Sequence, residues 1–106
     1  MNARTVTLHG ITFNGSSLEA FCLKNGIRRL ALFGSVLRDD FGPESDVDML
    51  VEFMPGERVG YFRLVELESA LSDLFGGGKV DLRTPGELSR YFREKVLAES
   101  EPLYVR

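Results

Sequence analysis

One alternation constrains this chain more than any other. Asp46-Val47-Asp48-Met49-Leu50-Val51 is led in by Ser45, ten residues past the serine of a Gly34-Ser35 pair. An extended strand sends residues i and i+2 to the same face. Val47, Met49 and Val51 then face a core, while Asp46 and Asp48 stand side by side on the other face. Two carboxylates this close repel unless a cation sits between them. Oxygen ligands on a rigid element suit magnesium, which proteins hold through one or two carboxylates together with substrate phosphates. The Gly34-Ser35 turn adds backbone N–H groups and a hydroxyl that can hold phosphate. A phosphate holder and a metal holder in one short unit point to nucleotide chemistry.

Strands and helices alternate around that unit. Residues 1–15 carry scattered apolar positions (Val6, Leu8, Ile11, Phe13) and read as a strand, a hairpin or a lead-in segment. Ser16-Ser17 offers an N-cap for a helix with Leu18, Phe21 and Cys22 at helical spacing, stopped by Asn25-Gly26. Residues 27–33 form a first strand, 36–40 a short helix beginning at Gly34-Ser35, 41–45 a loop, and 46–53 a second strand. A polar loop over 54–60 leads into an amphipathic helix over 61–75, ended by Gly76-Gly77-Gly78. Residues 79–83 form a third strand, with Val80 and Leu82 on one face and Asp81 on the other. Thr84-Pro85-Gly86-Glu87 is a capping box for a last helix over about 85–98, and 103–105 form a final strand or an extended tail. This order predicts an α/β (α+β) sandwich with a small, open sheet.

The 106 residues fit one domain, 1–106, and leave little room for a second. Net charge is −3, so no overall basic field drives nucleic-acid binding, and direct contact with nucleic acid is not expected. No apolar run approaches the ~20 residues that span a bilayer, so no membrane partner is expected. The single cysteine, Cys22, cannot form an internal disulfide and reads as a small core hydrophobe. That usage suits a reducing cytoplasm. With one histidine and one cysteine, neither a zinc site nor a Cys–His dyad is expected.

Asp81 supplies a third acid. If the second and third strands are neighbours, Asp46, Asp48 and Asp81 converge on one sheet face. Three acids suffice for two magnesium ions ~3.5–4 Å apart, the arrangement that serves in-line nucleotidyl transfer. Asp81 then falls nearest the nucleophile, because it lies outside the phosphate-holding unit. Each feature also has a plainer reading. Gly-Ser is an ordinary turn, Arg38 can form a structural ion pair with Asp39, Asp40 or Asp46, and Lys79 can be a solvated strand end. Tyr61-Phe62 and Tyr91-Phe92 read as core and rim of two helices, and any exposed part of either suits a partner. Arg90, Arg93 and Lys95 give the last helix a basic side. An Asp48 inside an apolar strand resists the plain reading, because a lone buried carboxylate is costly to ionise.

Leu32-Phe33-Gly34-Ser35, Arg38, Ser45-Asp46-Val47-Asp48, Asp81, Val96-Leu97-Ala98-Glu99 and Leu103-Tyr104 together resemble the nucleotidyltransferase superfamily that includes DNA polymerase beta and kanamycin nucleotidyltransferase. Within it the chain is most similar to the minimal nucleotidyltransferases, MNT proteins, over about residues 16–105. The resemblance implies a small mixed sheet with helices mainly on one face, magnesium (two ions) and ATP as donor. It also implies a HEPN-domain ribonuclease toxin as partner, silenced by AMP transfer to a tyrosine. Carried over by position, Asp46, Asp48 and Asp81 are the catalytic and metal-holding acids. Gly34, Ser35, Arg38 and Ser45 are nucleotide-binding. The loop acids Asp39, Asp40 and Glu44 depart from the more basic loop of many relatives. A non-catalytic antitoxin that covers its toxin is the alternative. A small-molecule nucleotidyltransferase is a further one, against which stands the lack of an acceptor-binding second domain.

Overall fold

A hairpin, two helices and an edge crossover bring distant residues to one end of a four-stranded sheet. The computed structural model describes residues 5–38, 42 and 45–106. Strands β1 (Thr5–Leu8) and β2 (Ile11–Asn14) pair antiparallel, so the first segment is the hairpin among its expected forms. Helix α1 (Gly15–Lys24) follows at once. Its cap is Asn14, whose side chain accepts the Ser17 N–H at 2.9 Å. Ser16-Ser17 therefore lies inside the first turn, because asparagine at the hairpin end already satisfies that donor. Leu18 and Cys22 are the buried face of α1.

Strand β3 (Ile27–Phe33) runs as expected and ends in a 3-10 turn, Gly34–Leu37. The expected helix over 36–40 is thus shorter and earlier. Its end at Asp39 and Asp40, and most of the 41–45 loop including Glu44, lie outside the described residues. Strand β4 (Val47–Phe53) pairs antiparallel with β3, matching Leu30 to Val51 and Leu32 to Met49. Helix α2 (Tyr61–Leu74) buries Leu67 and Leu71 and delivers the chain to β5 (Val80–Arg83). β5 runs parallel to β4, which requires a crossover of this kind. The capping box at Thr84 holds, with the Glu87 carboxylate accepting the Thr84 N–H at 2.7 Å. It caps only a 3-10 turn, Pro85–Glu87, and α3 (Arg90–Glu99) starts anew at Ser89. The expected continuous helix from residue 85 is broken there. Arg93 stabilises the break by donating to the carbonyls of Pro85 at 2.9 Å and Leu88 at 3.1 Å. Strand β6 (Glu101–Val105) closes the chain as an antiparallel edge beside β3.

The sheet order is β5-β4-β3-β6, a mixed sheet. Leu30, Leu32, Met49, Val51, Val80 and Leu82 meet Leu18, Cys22, Leu67 and Leu71 in one buried cluster. α1 and α2 cover that face. α3 buries no residue of its own and borders the opposite side. The aromatic pairs are not core: Tyr61, Phe62, Tyr91 and Phe92 are between 62% and 85% exposed. Among the described residues no helix is long and apolar enough to cross a membrane.

Candidate active site

Antiparallel pairing sets the end of β3 beside the start of β4, with Phe33 opposite Asp48. The next residue, Gly34, takes φ +76°, a backbone region open to glycine at no steric penalty. A Cβ there would stand 2.5 Å from Asp48 Oδ2. Glycine therefore lets the turn close over the aspartate, and the Ser35 N–H donates to its carboxylate. Sequence reasoning paired these two segments by motif; the structure supplies the contact.

On the other side of β4, the parallel register sets Asp48 opposite Asp81. Both point away from the apolar face that carries Val47, Met49, Val80 and Leu82. Asp48 is half-buried, and its carboxyl is held above the ordinary range. Burial is the main cause, followed by the negative charges of Asp81 and Asp46; Arg83 and the Ser35 N–H oppose the shift. The three acids thus share one electrostatic neighbourhood. They do not, as they stand, form a tight ligand set: among the described residues no three Asp, Glu, His or Cys side chains are grouped to hold a metal. Asp81 is instead gripped at two points by Arg83, at 3.3 Å to Oδ1 and 3.2 Å to Oδ2. Asp46 faces Lys79 at 3.7 Å, a solvent-exposed and weak pair.

The other expected site residues divide. Ser35 is half-buried beside Asp48, and Arg38 is exposed at the end of the turn. Ser45 is taken up locally: its Oγ accepts the Gly42 N–H at 3.1 Å, and its own N–H donates to Gly42 at 3.0 Å. Asp46 stands just ahead of β4, which begins at Val47.

Two contributions escaped the sequence reading. Glu68 and Ser72, one turn apart on α2, accept the outward N–H groups of Leu82 at 2.7 Å and Val80 at 3.2 Å. They bracket Asp81 and fix the register of an edge strand whose donors would otherwise be open. The second is a cleft of about 680 Å³ between the Gly34 turn and α3, into which Phe92, Lys95 and Val96 project from the helix. Both depend on long-range packing, and neither carries a local sequence signal beyond the basic side already noted on α3.

The nucleotidyltransferase domain family matches residues 16–104. A Methanocaldococcus jannaschii relative named "Putative protein adenylyltransferase" is 39% identical over 82 residues, covering 77% of this chain and 80% of that one. A solved structure described as a "putative minimal nucleotidyltransferase" superposes with a TM-score of 0.67 at 33% identity, covering 83% of this chain and 87% of that one. A chain of the solved complex of a tri-AMPylated Shewanella oneidensis HEPN toxin with MNT antitoxin shares the fold, with TM-score 0.61, 18% identity, and coverage of 87% of this chain and 70% of that one.

Proposed function

The chain belongs to the nucleotidyltransferase domain family, and on that premise we propose that it transfers AMP from ATP to a tyrosine hydroxyl of a HEPN-domain toxin and so acts as an antitoxin. The observation that carries this reading is Asp48, charged against Asp81 and Asp46 and tied to the N–H of a glycine-serine turn. The name of the M. jannaschii relative supports AMP transfer to protein. The AMPylated toxin in the Shewanella complex supports the acceptor class.

The donor set fits magnesium: it is all oxygen, and the Asp81 and Asp46 charges, which add to burial in pushing Asp48 up, are an excess that a divalent cation would relieve. Asp46 and Asp48 would hold such an ion, with Asp81 available once Arg83 lets go. When bound, magnesium neutralises phosphate charge and acidifies a nearby hydroxyl. The chain's own groups do the rest. N–H groups of the Gly34 turn hold the β and γ phosphates, and the rigid β4–β5 pair fixes the α-phosphorus in line with the acceptor. The acceptor oxygen bonds to that phosphorus, its proton passes to solvent beside Asp81, and the bond to the β-phosphate oxygen breaks to release pyrophosphate. A cytoplasmic setting fits the lone, fully buried thiol of Cys22.

The test is the origin of the transferred label. With magnesium and a HEPN-domain partner, label in the α-phosphate of ATP enters the partner and label in the γ-phosphate does not. Label from the γ-position, or from neither, contradicts the proposal. One observation favours a second reading, a non-catalytic cover of the toxin: Asp81 is already held at two points by Arg83. Under that reading Asp46→Asn/Asp48→Asn silences the toxin as well as the parent does.

A further inference from the structure

Across the cleft from the Gly34 turn stands one side of α3, and the roughly 680 Å³ between them lies within the range of small-molecule sites. The sheet-side wall carries Gly34 and Arg38; the α3 wall carries Phe92, Lys95 and Glu99. Three cations make up the basic side of α3, and two are committed elsewhere. Arg93 holds the Pro85 and Leu88 carbonyls, and the Arg90 guanidinium sits 6.0 Å over the Tyr91 ring. Lys95 lines the cleft and, among the described residues, has no hydrogen bond or ion pair. Glu99, one turn on, does not take it up: lysine ahead of glutamate is the weaker i,i+4 order.

A cation without a partner, facing a turn of phosphate-holding N–H groups, is placed for an anion that arrives with the substrate. From this we infer that Lys95 binds the terminal phosphates of the nucleotide and makes the site select triphosphate over monophosphate. The inference rests on the nucleotidyltransferase reading and adds to it a specificity-determining residue outside the sheet. Ammonium–phosphate contacts are charge-assisted and scale with the charge they meet. A terminal phosphate adds charge that AMP lacks, so the benefit falls on ATP and ADP. Phe92, 62% exposed one turn earlier, offers a ring face with no phosphate preference.

The experiment is calorimetric titration of AMP, ADP and ATP, with magnesium, into the parent, Lys95→Ala, Lys95→Arg and Phe92→Ala. Lys95 is exposed, so its variants keep the parent melting temperature. The expected result is a Kd for ATP raised about tenfold in Lys95→Ala, with AMP within about twofold of parent and Lys95→Arg near parent. Phe92→Ala keeps the parent ratio of ATP to AMP affinity. Unchanged ATP affinity in Lys95→Ala, or equal weakening of ATP and AMP, overturns the role of Lys95 and leaves the transferase reading standing. A parent that binds no ATP overturns both.

Discussion

Asp48 and Asp81 occupy facing positions on the parallel neighbours β4 and β5, and burial, with the Asp81 charge added to it, holds the Asp48 carboxyl above its ordinary range. A carboxyl whose folded pKa lies above its unfolded one binds its proton more tightly in the folded state. Its contribution therefore turns unfavourable as pH rises through that window and stays so at neutral pH. Asp48→Asn removes the repulsion. Its melting temperature at pH 7 is expected at or above the parent value, while AMP transfer falls by about 100-fold or more. Loss of both would mark Asp48 as a structural residue.

Gly34→Ala strikes the same pair from the other side. The added Cβ meets Asp48 Oδ2 at 2.5 Å on a backbone of φ +76°. The left-handed conformation alone costs about 1–2 kcal/mol for a residue with a Cβ. Chemical denaturation should show at least that loss, and calorimetry a weaker affinity for ATP.

Glu68→Ala should disturb the site through the strand that carries Asp81. Its carboxylate accepts the N–H of Leu82, a residue only 3% exposed. Leaving that donor unpaired costs about 1–3 kcal/mol. Denaturant midpoints should fall accordingly and transfer should slow, with Glu68→Gln recovering much of both because an amide oxygen can still accept.

Burial pushes the Cys22 thiol up from 9.0 to about 12. The folded state keeps that proton longer than the unfolded state does. Its stabilisation is thus complete below pH 9 and is lost as pH rises from there toward 12, by about 1.4 kcal/mol per unit. The parent is expected to lose stability in alkali more steeply than Cys22→Ala, measured by urea midpoints across that range. In the folded parent at pH 8 the thiol should not react with a bulky disulfide reagent.

Local chemistry was legible where periodicity was strong. The β3 and β4 segments and α2 follow from alternation and from leucines at helical spacing, and Asp48 stands out because an acid interrupts an apolar strand. What stayed hidden was set by contacts far apart in sequence. Asn14 outcompetes Ser16 and Ser17 as a cap because the hairpin ends on it. The helix expected from Pro85 breaks because Arg93 turns back on the Pro85 and Leu88 carbonyls. Ser89 caps α3 in its place, its hydroxyl accepting the Tyr91 N–H at 3.4 Å. That Asp81 lies beside Asp48 follows only from the parallel β4–β5 register; its grip by Arg83, two residues on, is the same-face i, i+2 relation of a strand, closed by the reach of the guanidinium.

Intact mass of a HEPN-domain partner, taken after incubation with this protein, ATP and magnesium, tests the whole reading most directly. The expected result is a gain of one AMP for each modified tyrosine with the parent and no gain with Asp48→Asn. A partner of unchanged mass, or one modified equally by parent and variant, would contradict it.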